Sequence, residues 1–123
     1  MKKFSTGDII LQQESSGSEF YILMEGKVGV YKNGTKIAEY DEPGTVIGEI
    51  SAILGIPRTA TIIALAESEF ILIEGNVEDE IRTHPDIILY VLTNLAERLS
   101  STTGDLVTVA SKMSLKSLKD IAQ

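Results

Sequence analysis

The chain contains no cysteine, which excludes disulfides, iron–sulfur clusters and thiolate chemistry. It has a single histidine, His84, placed before Pro85 in a helix-to-helix turn. That is too few imidazoles for a multi-histidine metal centre, and His84 reads as an exposed turn residue rather than a ligand. No apolar run approaches the roughly 20 residues needed to cross a bilayer. The start Met1-Lys2-Lys3-Phe4 lacks a signal-peptide core, so a cytoplasmic chain without a membrane segment is expected. Positive charge is also short: 11 Lys and Arg against 18 Asp and Glu give a net charge of −7. General nucleic-acid binding, which needs a basic surface, is thereby disfavoured. The same field repels an anionic ligand at long range, so any anion site would depend on a local positive spot.

What is present is the material of one globular domain. The 123 residues are 43% hydrophobic and 24% charged, enough for one core and too few for two domains of ordinary size. The first three-fifths reads as short strands cut by turns, over 8–13, 19–25, 27–32, 36–40, 59–66 and 69–73. Asn33-Gly34 is a two-residue hairpin signal, because both turn positions favour positive φ. Such strands suggest a sandwich, jelly roll or barrel. The period then changes. Asn76 can cap a helix running to about Thr83, and Pro85 suits the opening of the next, with Asp86 in its first turn. From 86 to about 111, Ile88, Leu92, Leu95, Leu99, Thr102, Leu106, Val109 and Met113 recur at alternating spacings of four and three, a heptad seam. Gly104 is a local weakness in that helix. The tail 113–123 carries Leu115, Leu118 and Ile121 at helical spacing.

One segment carries chemistry: Gly48-Glu49-Ile50-Ser51-Ala52-Ile53-Leu54-Gly55-Ile56-Pro57-Arg58-Thr59-Ala60-Thr61. Gly48 lets the backbone approach a ligand closely. The amides of Ile50, Ser51 and Ala52 would open a short helix over Glu49–Leu54, and Arg58 supplies a charged fork that fits two phosphate oxygens. Glu49 is a poor phosphate neighbour but a good acceptor for a sugar hydroxyl. On spacing alone, Glu49 and Arg58 fit a surface ion pair equally well. A catalytic triad is not assembled by these residue types, and no enzyme activity is expected.

The segment resembles the phosphate-binding cassette of the cyclic-nucleotide-binding domain family, G-E-(L/I)-(A/S)-x-(L/I)-x(4)-R-(A/S/T)-A, with Gly48, Glu49, Arg58 and Ala60 at family positions without a gap. The run Tyr21-Ile22-Leu23-Met24-Glu25-Gly26-Lys27-Val28 is similar to the family's Y-x-(I/L)-x-x-G-x-V, and Gly7, Gly26 and Gly44 match its spaced glycines. The resemblance extends from Phe4 to about Ala110. It implies a mainly β fold with C-terminal helices: a double-stranded β-helix (jelly roll) over 4–75, then a short and a long helix within 76–123, in one domain spanning 1–123. It also implies a cyclic mononucleotide as ligand, with no prosthetic group and no metal. Gly48, Glu49, Ile50, Ser51, Arg58, Thr59 and Ala60 would form its sugar-phosphate site.

The helix implies more. In bacterial activators of the family a threonine at the position of Thr102 contacts adenine, and a serine at that of Thr103 reaches the same ring from the partner subunit. The resemblance thus implies cyclic AMP rather than cyclic GMP, and a homodimer through the long helix. The plainer reading of Thr102 is a polar seam residue that sets register. Thr59 points the other way, since cyclic GMP binders of the family often carry threonine there. Those activators continue into a helix-turn-helix domain. Residues 113–123 are too few for one, so a stand-alone sensor acting on an unknown downstream protein, without direct DNA binding, is expected. Two rivals remain: an interaction protein that kept the fold and lost the ligand, and a cupin-like metalloenzyme. An Arg58→Ala variant is expected to lose affinity with its fold intact.

Overall fold

A computed structural model of the chain describes residues 1–74 and 77–103, leaving the side chains of Val77, Ser101, Thr102 and Thr103 outside that description. The chain divides into two compact units at Asn76/Val77.

The first unit is a pair of four-stranded antiparallel sheets, the jelly-roll arrangement expected. Its strands are β1 (Lys2–Phe4), β2 (Ile9–Leu11), β3 (Phe20–Glu25), β4 (Val28–Lys32), β5 (Thr35–Tyr40), β6 (Val46–Ile47), β7 (Thr61–Ala64) and β8 (Ser68–Ile73). A short helix, α1 (Glu49–Leu54), sits between β6 and β7. One sheet has the order β1-β8-β3-β6 and the other β2-β7-β4-β5. Their facing sides form one core, with Tyr21, Leu23, Ile47 and Phe70 from the first sheet and Ile10, Leu11, Val28, Ile62 and Ala64 from the second. The two-residue steps within β3 and β7 are the strand period that puts alternate side chains inward. Phe4, Tyr21 and Phe70 meet edge-to-face at 5.6–5.8 Å, tying β1, β3 and β8 together.

Most expected strands form, with trimmed ends. The segment 8–13 pairs only over β2, because Gln13 and Glu14 turn, Glu14 with φ 69°. The segment 59–66 pairs only over β7, so Arg58, Thr59 and Ala60 lie in the loop before it. Asn33 and Gly34 take φ of 52° and 82°, and Lys32 pairs with Thr35 across them, the expected tight hairpin. The strands β1 and β6 are additions to that reading.

The second unit opens with α2 (Val77–Thr83) and α3 (Pro85–Thr103). The capping role expected of Asn76 lies outside the described residues, as do Gly104 and the whole of 104–123. His84 occupies the turn between the helices but is half-buried, not freely exposed. Its Nδ1 lies 3.0 Å from Glu80 Oε2 and 3.2 Å from Thr83 Oγ1. Along α3, Leu92 and Leu99 of the seam are 55% and 71% exposed, with Ile88 and Leu95 half-buried. No helix among the described residues is long and apolar enough to cross a membrane.

Candidate functional site

The site is built where β6 runs into α1. Gly48 caps the helix with φ 84°, a left-handed conformation that glycine adopts without a steric penalty. A Cβ there would also stand 2.8 Å from Leu11 Cδ1 and 3.2 Å from Arg58 Nη1. Both conformation and space therefore select glycine. The first helical backbone bond runs from Ala52 N–H to Gly48 O, 3.3 Å, which leaves the Ile50 and Ser51 amides ahead of the ladder. Glu49 opens the helix, where the dipole favours an anion, and is buried at 3% exposure.

Arg58 is the organising residue. It is the one buried cation among the described residues, 2% exposed, and its backbone is clamped by the 12–19 loop. Glu14 N–H donates to Arg58 O (2.8 Å), and Arg58 N–H donates to Ser15 O (2.9 Å). Its guanidinium then turns to α1. Nη1 donates to Gly48 O at 3.0 Å and to Ser51 Oγ at 2.9 Å. Nη2 donates to Glu19 O at 2.7 Å and to Glu19 Oε1 at 2.9 Å. The ion pair the structure gives Arg58 is thus with Glu19, not an exposed one with Glu49. Burying a charge is tolerated only with such pairing.

The structure brings Gly48, Ser51 and Arg58 into direct contact, with Glu49 beside them in the buried first turn. Ile50 is 46% exposed, Thr59 is exposed and Ala60 half-buried. Thr102 and Thr103 end the described part of α3, and their side chains lie outside it. Sequence reasoning missed Glu19 and Gly17. Their only signal is a carboxylate just before a strand and a glycine in a polar turn, remote in sequence from Arg58. The expectation of an intact fold after Arg58→Ala meets a structural role of the side chain, which joins α1 to the loop before β3.

Electrostatics reach the neighbouring strand. The Tyr21 phenol is raised above its ordinary value of 10.0, first by burial and then by the Glu19 and Glu74 carboxylates, with Arg58 opposing. Among the described residues no group of three or more His, Asp or Glu side chains could hold a metal ion.

This geometry has relatives. Residues 1–82 match the model of the cyclic nucleotide-binding domain. The chain is 36% identical over 67 residues to the cAMP-dependent protein kinase regulatory subunit of Debaryomyces hansenii, covering 54% of this chain and 15% of that protein. Among solved structures, the Thermus thermophilus catabolite activator protein superposes with a TM-score of 0.67 at 25% identity, over 83% of this chain and 50% of that one. The cAMP-bound PfPKA-R superposes with a TM-score of 0.59 at 25% identity, over 87% of this chain and 38% of that one. The chain thus spans about 15% of the length of the curated relative named here.

Proposed function

The chain belongs to the cyclic nucleotide-binding domain family, and from that premise we propose that it is a regulatory sensor that binds cyclic AMP in preference to cyclic GMP. One observation carries the proposal. A buried arginine is anchored at the start of a glycine-capped helix, where an anion would meet both a guanidinium and backbone amides. Arg58 and the amides of Ile50 and Ser51 hold the cyclic phosphate, and Glu49 accepts from the ribose 2′-hydroxyl. Thr59 and Ala60 line the approach, and the family resemblance supports a base contact from Thr102 and, from the partner copy, one from Thr103. No residue is assigned a catalytic role. Phosphate capture biases the segment around 76–85, so that the helical unit passes between two populations and signals to a downstream protein. The active form is a homodimer joined along α3, a reading supported by the exposed Leu92 and Leu99. The working compartment is the cytoplasm.

Calorimetric titration of the full chain with cyclic AMP and cyclic GMP tests this. Saturable heat is expected with both, tighter with cyclic AMP. Arg58→Lys, which keeps the charge but not the fork, is expected to weaken binding by about 2 kcal/mol or more, roughly 30-fold. The rival reading, a fold kept for interaction alone, has one observation in its favour: every Nη hydrogen of Arg58 already has an oxygen partner within the chain. Absence of both heat and a shift in melting temperature at millimolar nucleotide would favour the rival.

A further inference from the structure

The partners of Arg58 are not equivalent. Three are neutral oxygens, from the Gly48 and Glu19 carbonyls and the Ser51 hydroxyl. The fourth, Glu19 Oε1, is a carboxylate oxygen 2.9 Å from Nη2. Carbonyl partners are fixed by the backbone, and Ser51 is itself buried. The Glu19 side chain is 40% exposed, so water can solvate its carboxylate once it leaves. An arriving phosphodiester carries the same sign of charge and seeks the same donors. Two anions on one guanidinium repel, and the half-exposed one is the one that can go.

Gly17 points to the same pair. A Cβ on Gly17 would lie 2.7 Å from Glu19 Oε1 and 2.8 Å from Arg58 Nη2. The backbone of Gly17 is not in the left-handed region, so conformation does not demand glycine there. A side chain there would press on the ends of both Glu19 and Arg58, so the bare backbone leaves the ion pair room to form.

We propose that Glu19 is a resident anion: its carboxylate neutralises Arg58 in the absence of ligand and is displaced from Nη2 when a phosphate docks, so that it sets the affinity threshold of the site. The proposal deepens the anion-binding reading of Arg58 and rests on it. Without the resident carboxylate, Arg58 is a buried cation with only neutral partners. That state is less stable alone and gains more from an incoming anion.

Glu19→Gln keeps length and one acceptor oxygen while removing the charge. The full chain carrying it is expected to melt at a lower temperature without ligand, and to bind cyclic AMP roughly tenfold more tightly than wild type by calorimetry at fixed ionic strength. Glu19→Ala, which removes the carboxylate and keeps the Glu19 backbone carbonyl on Nη2, is expected to shift affinity in the same direction and carries the test if Glu19→Gln does not fold. Equal or weaker binding by the tested variant overturns the proposal and makes Glu19 a mere support for Arg58. If neither wild type nor variant binds cyclic AMP, the nucleotide reading fails by itself, and inorganic sulfate decides the resident-anion claim. Sulfate stabilises most proteins without a site, so the measure is the excess shift in melting temperature over an Arg58→Gln reference. A larger excess in Glu19→Gln than in wild type supports displacement; an equal one overturns it.

Discussion

At the scale of single residues, Arg58 shows how a charge proposed to bind ligand is also made structural. Its burial with four oxygen partners means that truncation removes a cation and strands the groups around it. Arg58→Ala is expected to lower unfolding free energy by about 2–4 kcal/mol in urea titrations, somewhat below the cost of breaking a fully buried pair, because the half-exposed Glu19 can rehydrate. Binding assays on this variant therefore belong below its melting transition. Tyr21 gives a second test of the same electrostatics. Its phenol is raised by burial and by Glu19 and Glu74, so the folded state holds the proton to higher pH than the unfolded state does. The associated stability is complete below pH 10 and is lost as pH rises from there through the folded value. Urea midpoints measured between about pH 9 and pH 11 are expected to fall less steeply for Tyr21→Phe than for wild type; parallel slopes would contradict the shift.

At the scale of elements, the turn between β3 and β4 sets a steep constraint. Gly26 has φ 115°, and a Cβ on it would lie 2.6 Å from Ser68 Cα, a backbone atom that cannot swing away. Ser68 is moreover tied to Lys27 N–H and to the Ala66 carbonyl. Gly26→Ala is expected to cost about 2 kcal/mol or more in chemical denaturation, combining left-handed strain with the clash; a loss under 0.5 kcal/mol, the range of an ordinary surface change, would show that the turn relaxes. Elements with local causes were readable in advance. Asn33-Gly34 dictates its own hairpin, and α1 is bracketed by Gly48 and Gly55, both at positive φ. The strands that escaped notice have no local cause. β1 exists because Lys2, Lys3 and Phe4 pair with Phe70, Glu69 and Ser68, and β6 because Val46 and Ile47 pair with Ile22 and Tyr21. The site divides the same way. The cassette side of Arg58 is contiguous in sequence and was legible, while its Glu19 side is made by a loop whose bonds to Arg58 follow only from the closed barrel.

At the scale of the whole molecule, two opposing forces bear on assembly. Burying a leucine side chain fully is worth about 1.5–3 kcal/mol, and Leu92 and Leu99, one heptad apart on α3, are 55% and 71% exposed in the single chain. A second copy laid on this face by a two-fold axis would bury both leucines twice over, since residue contacts are repeated in an isologous pair. Against this stands a net charge of −7 on each copy, which pushes two copies apart. The apolar term is short-ranged and little affected by dilute salt, whereas repulsion between exposed charges is screened over roughly 8 Å at physiological ionic strength. Association is therefore expected to strengthen as salt rises from a few tens of millimolar to physiological strength, the reverse of the trend for a dimer held by surface ion pairs. Light scattering coupled to size exclusion measures this directly. Wild type is expected to shift toward twice the chain mass with added salt, and Leu99→Glu to remain at the mass of one chain throughout. A wild-type chain that stays single at every salt concentration, with cyclic AMP present, would assign Leu92 and Leu99 to some other contact and remove the dimer from the sensing mechanism.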